Sequence, residues 1–167
     1  KLIKFSIFMK GYSNMINLDA TDLRILRIIQ KRGRISNSDL SMEINLSASA
    51  CHRRVSRLES NKVVKNYVAL LDPIKVNLST TVFVEITLNG QADEVLNKFE
   101  KEVKKIPNVL ECNLMAGSAD YLLKVVATDT NDFAQLHRKF LASLPGVAQI
   151  QSSFSLKNVF KETGLPV

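Results

Sequence analysis

The sequence predicts an α+β protein in two parts, a basic helix-turn-helix region followed by an electrically neutral, ferredoxin-like β-α-β-β-α-β unit. Three observations carry this. Apolar residues recur at three-four spacing up to about residue 60, then alternate at strand spacing from about residue 80. At 167 residues the chain is long enough for two small domains. Charge is also unevenly placed: residues 1–72 hold 13 Lys/Arg against 6 Asp/Glu, a net +7, whereas residues 73–167 hold 10 of each. Such asymmetry points to a polyanion facing the first half, against the alternative of a solvated basic face with no partner.

The opening stretch KLIKFSIFMKGYSN, residues 1–14, reads as a leader or extension outside the fold, with Met15 a plausible start. Its apolar core is too short for a signal peptide or a membrane span. The first helix is expected in LDATDLRILRIIQKRGR, with Asp19 as N-cap, Asp22 completing a capping box and Gly33 as a left-handed C-cap. Ser36 caps a second helix over 37–44 that buries Leu40 and Ile44. After a tight turn at Asn45–Leu46, Ser47 caps a third helix over 48–60. The short turn between the last two helices is the helix-turn-helix layout.

VVKNYVALLD reads as a strand, and Asp72-Pro73 breaks it, giving a linker near 71–78. TTVFVEITLNG alternates with Val82, Val84, Ile86 and Leu88 on one face. Residues 91–105 form a helix, VLECNLM and DYLLKVVA two strands, and 130–144 a helix with Phe133, Leu136, Phe140 and Leu144 inward. Pro145-Gly146 ends it, and VAQIQSSFSLKNV is the last strand. The expected domains are 15–63 for the helix-turn-helix, 64–78 as strand and hinge, and 79–167 for the β-α-β-β-α-β unit. A four-stranded sheet with two helices covers one side only, so an apolar face should remain for a second subunit.

Function concentrates on the third helix. Ala48, Cys51, Val55 and Leu58 define its buried stripe; Ser49, Arg53, Ser56 and Arg57 point away, with Ala50 and His52 flanking. A recognition helix presents such outward residues to base edges in the major groove. Arg53 can bond bidentately to guanine, Ser49 and His52 make shorter contacts, and Arg57 suits a phosphate. Arg54, at the stripe's edge, reads as a structural ion pair with Asp22 or Glu59, and Cys51 as a small core residue. In MAGSADY, Gly117 and Asp120 form either a capped β-turn or an amino-acid site, backbone N–H groups taking the carboxylate and Asp120 the ammonium.

Enzymatic readings find no nucleophile signature, phosphate loop or carboxylate motif, and the two histidines, His52 and His137, lack partners at motif spacing. No metal or cofactor is expected. RNA recognition needs stacking aromatics on the central strands, where DYLLKVVA is aliphatic. Two widely spaced cysteines fit a reducing cytoplasm.

Several motifs in order resemble the leucine-responsive/asparagine-regulator (Lrp/AsnC, feast-famine) transcription factors, from about residue 17 onward. LDATDLRIL is similar to the family's opening LDxxDxxIL, RISNSDLSMEINLSASACHRRVSRLE to its helix-turn-helix, and LMAGSADYLLKV to its G-x-x-D-Y loop. The tail LPGVAQIQSSFSLKNVFKETGLPV resembles a branch that includes regulators of branched-chain amino-acid metabolism. The resemblance implies a winged-type helix-turn-helix that binds double-stranded DNA, an amino-acid effector (a branched-chain one included), and dimers that assemble into rings. It nominates Ser47, Ser49, Ala50, His52, Arg53, Arg57 and Lys62 for DNA. It nominates Leu114, Met115, Gly117, Ser118, Ala119, Asp120 and Tyr121 for the effector, with Ser152, Ser153 and Phe154 as partners across an interface. The chain departs from the family's LExxGVI at LESNKVV, placing the left-handed cap on Asn61 or Lys62, and its loop reads AGSAD where TG-x-x-D is usual. The rival readings are an architectural DNA-wrapping protein of low specificity and an amino-acid-binding module without DNA function.

Overall fold

The computed structural model describes residues 16–167, so the readings of residues 1–14 and Met15 fall outside the described residues. By packing these residues form two units: residues up to Leu70 together with Phe160–Val167, and Leu71–Val159. The last eight residues, Phe160–Val167, pack with the helical unit.

In the helical unit, α1 spans Ala20–Lys31, α2 Asn37–Glu43 and α3 Ala48–Ser60. The predicted capping box at Asp19 and Asp22 is present, with both reciprocal hydrogen bonds formed. Ser36 and Ser47 cap α2 and α3 by accepting from the backbone N–H groups of Asp39 and Ala50. The core is Ile25, Leu26, Ile29, Leu40, Ile44, Cys51 and Leu58. Two expectations fail locally. Gly33 is not left-handed, because Arg32 closes α1 at φ −134° and its N–H donates to the Ile28 carbonyl at 2.9 Å. Ala48 is exposed, since burial on α3 begins only at Cys51.

The end of α3 decides where the left-handed residue falls. Asn61 has φ −83°, and Lys62 takes φ +58°. The Lys62 N–H donates to the Glu59 carbonyl and the Val63 N–H to the Leu58 carbonyl, both at 2.9 Å. This is the Schellman arrangement, with Val63 packed against the cluster that holds buried Leu58. Lysine occupies the position where glycine carries no Cβ penalty. The strand expected in 63–72 is not formed: among the described residues no partner strand lies beside it, and Val68, Leu70 and Leu71 are exposed.

The sheet unit follows the predicted element order: β1 Thr80–Leu88, α4 Asp93–Val103, β2 Val109–Leu114, β3 Tyr121–Ala127, α5 Thr130–Lys139 and β4 Val147–Phe154. The sheet order is β2-β3-β1-β4, antiparallel throughout, which is the ferredoxin-like topology. Val82, Val84, Ile86 and Leu88 face the helices with Tyr121, Leu123 and Val125, and Phe99, Val103, Phe133 and Leu136 pack on them. The last helix stops at Lys139, followed by a 3₁₀ turn over Leu141–Ser143, so Phe140 is 36% exposed where an inward side chain was expected. Gly146, at φ +75°, is demanded by the turn: a Cβ there would lie 2.9 Å from Val95 Cγ1.

The opposite sheet face is mixed where an apolar one was expected. Phe83 and Leu122 share it with Glu85, Lys124, Gln151 and Ser153, as the register shows, and Lys124 pairs with Glu111 at 3.2 Å. Alternation along β1 places Val82 and Val84 inward and leaves a phenylalanine and a glutamate outward.

Candidate functional site

Helix α3 presents Ser49, His52 and Arg53 to solvent, and Arg53 forms no ion pair among the described residues. Ser47 is committed to the cap, its hydroxyl accepting from the Ala50 N–H at 3.2 Å and lying 3.2 Å from the Ser49 hydroxyl. Ala50 is half-buried. Lys62 is exposed just beyond the helix on its strained backbone.

Arg57 is placed differently from the sequence expectation. Its guanidinium is hydrogen-bonded to Asp22 of α1, so any phosphate contact competes with that pair. Arg54 donates to Asp22 Oδ1 at 2.9 Å and to Asp19 Oδ2 at 2.7 Å, the ion pair expected of a residue at the stripe's edge. Asp22 is fully buried. The backbone N–H of Asp22, then Arg54, hold the Asp19 carboxyl below its usual range. Sequence reasoning missed Arg57 as a partner, although Arg54 and Arg57 at i, i+3 share one helix face.

The second candidate lies between β2 and β3. Leu114, Met115, Gly117 and Ser118 are exposed, whereas Ala119, Asp120 and Tyr121 are buried. Asp120 is built into the sheet end: Oδ2 accepts from the Leu88 N–H at 2.9 Å and Oδ1 from Gln91 Nε2 at 2.8 Å. Its N–H donates to the Ile86 carbonyl, and its carbonyl accepts from the Met115 N–H. Gln91 was not foreseen, because a glutamine 29 residues away gives no sequence signal. Tyr121 stacks on Phe99 at 4.5 Å between centroids, and its hydroxyl donates to Glu100 at 2.9 Å. Burial, reinforced by Glu100, pushes the Tyr121 hydroxyl up. Gly117 is not left-handed, and a Cβ there would meet open space, so the expected turn requirement is absent.

Ser152, Ser153 and Phe154 lie on β4, the sheet edge opposite β2, and pair with the start of β1. They do not meet the 114–121 loop within one chain. Phe154 contacts Phe133 edge-on at 5.3 Å, while Ser153 shares the open face with Phe83.

Residues 18–65 match the winged helix-turn-helix DNA-binding family, and residues 81–165 match the Lrp/AsnC ligand binding domain. The chain belongs to the Lrp/AsnC family. It is 37% identical over 153 residues to the Bkd operon transcriptional regulator of Pseudomonas aeruginosa, covering 92% of this chain and 100% of that one. It is 39% identical over 151 residues to the leucine-responsive regulatory protein of Escherichia coli, covering 90% and 92% respectively. Among solved structures it resembles a Neisseria meningitidis transcriptional regulator in complex with L-Met, with TM-score 0.85, 40% identity, and coverage of 90% and 97%. As an Lrp/AsnC member it is a DNA-binding transcription regulator and not an enzyme. Among the described residues no helix is long and apolar enough to cross a membrane.

Proposed function

We propose that this chain is a cytoplasmic, self-associating transcription regulator that reads its operator with Ser49, His52 and Arg53, and whose response is set by a free amino acid at the 114–121 loop. The observation that carries the effector reading is the L-Met bound to a regulator 40% identical over nearly the whole chain. The loop itself lends support: exposed Leu114 and Met115 offer apolar contacts to a side chain, and the space beside Gly117 is open. The buried Asp120 carboxylate already bonds Leu88 and Gln91. In this reading it shapes the loop first, and an ammonium binds it by sharing or displacing Gln91. Ser152, Ser153 and Phe154 join the site only from a second subunit, because β4 lies at the far edge. The functional boundaries remain 15–63, 64–78 and 79–167, with 160–167 lending structure to the DNA-binding part.

The proposal is tested by thermal shift with L-methionine, L-leucine, L-isoleucine and L-valine at millimolar concentration. At least one should raise the melting temperature of the wild type, and Gly117→Val should abolish that rise without lowering the ligand-free melting temperature, since a side chain there has room in the fold. No rise with any of the four overturns the effector reading and leaves DNA binding untouched.

A further inference from the structure

The Asp22 carboxylate is the buried polar contact that ties the middle of the reading helix to α1, while Asn37 Nδ2 holds the Ala48 carbonyl at the helix start at 2.9 Å. The carboxylate has no solvent exposure, and it accepts from the Asp19 backbone N–H, from Arg54 and from Arg57. Arg54 also reaches Asp19. Two arginines three residues apart on α3 are thus held at the N-terminus of α1. Resting on the reading of α3 as the helix that meets the operator, we propose that Asp22 is a positioning residue for DNA reading, fixing the rotation of α3 about its axis so that Ser49, His52 and Arg53 face the groove.

Apolar packing fixes one face of α3, and Asp22 adds a directional constraint at Arg54 and Arg57. Cys51 and Leu58 are the fully buried residues of α3, and Val55 is only half-buried between them. One helical residue subtends about 100°, and Arg53 adjoins Arg54 directly, so the direction in which Arg54 is held sets the direction of Arg53. A bidentate base contact needs donor–acceptor distances near 2.9 Å, so a small rotation of the helix removes it, whereas a phosphate contact tolerates the change. A buried charge that loses its partner is costly, and the arginines of α3 would then turn to other acceptors.

The test compares the wild type with Asp22→Asn at a temperature where circular dichroism shows both folded. The probes are a duplex selected by the wild type from random sequences and a scrambled duplex of the same length. Positioning predicts that Asp22→Asn binds the selected duplex at least tenfold more weakly while affinity for the scrambled one is unchanged or raised, because the freed arginines can meet phosphates. A role confined to stability would lower the melting temperature and leave the affinity ratio of the folded protein unchanged, and that result overturns the proposal. If Asp22→Asn does not fold, Arg57→Gln serves, because Arg57 is partly exposed and its loss leaves Arg54 on Asp22. A fall in the affinity ratio supports positioning. An equal fall on both duplexes with a flatter salt dependence marks Arg57 as a phosphate contact and overturns it. A wild type that selects no sequence overturns it as well.

Discussion

Lys62 sits at the left-handed position of a Schellman cap, a conformation that costs a residue with a Cβ about 1–2 kcal/mol. The same residue puts a positive charge just beyond the reading helix. Lys62→Gly should therefore stabilise the helical unit by about 1 kcal/mol, less the extra flexibility of an unfolded glycine, and raise the melting temperature by a few degrees. It should also weaken binding to any duplex and flatten the salt dependence by about one unit if Lys62 contacts a phosphate. Calorimetry and a salt titration read the two effects separately. Arg53→Ala is the contrasting case: exposed and unpaired among the described residues, it should leave stability unchanged and cost specific binding roughly 1–3 kcal/mol against scrambled DNA. That Lys62 and not Asn61 is left-handed was open in the sequence, because both complete a helix end and only the backbone bonds of residues 62 and 63 choose between them.

Helix starts were legible because Asp19, Ser36 and Ser47 each have a short polar side chain that satisfies a free backbone N–H, a local interaction that sequence alone encodes. The end of α1 was not: Arg32 closes it without a glycine, and Gly33 lies outside the cap. Segment 63–72 has strand composition but no strand, because pairing is a property of neighbours and the described residues supply none there. The cap of α1 also has a pH signature. Asp19 is held below the usual carboxyl value of 3.8 by the Asp22 N–H and Arg54. A depressed folded-state value means its contribution is complete above pH 3.8 and is lost as pH falls through the lower, folded-state value. The melting temperatures of wild type and Asp19→Asn should thus differ at neutral pH and converge in stronger acid, as followed by circular dichroism.

At the scale of the whole molecule, the order β-α-β-β-α-β and its inward residues were readable because alternation and helical spacing switch cleanly along the chain. The candidate sites were readable only as lists. Arg57 and Asp120 proved to be held by Asp22, Leu88 and Gln91, partners remote in sequence. Self-association was expected from an apolar sheet face, but that face is mixed, so the exposed Tyr67, Val68, Leu70 and Leu71 become the stronger reason for a second copy. Light scattering at micromolar concentration should give at least a dimer, and Val68→Asp with Leu70→Asp should shift it toward monomer; a monomeric wild type would refute the assembly. The sheet order has one more consequence, for how the chain is made. Val82 of the central strand pairs with Val125 and Phe154, 43 and 72 residues further on. During synthesis β1 therefore emerges first and waits for both neighbours with its valines and isoleucine uncovered, an aggregation-prone interval. Ribosome-bound chains stalled near residue 130 should be protease-sensitive and retained by chaperones, while those carrying a C-terminal linker long enough for β4 to clear the exit tunnel should become resistant.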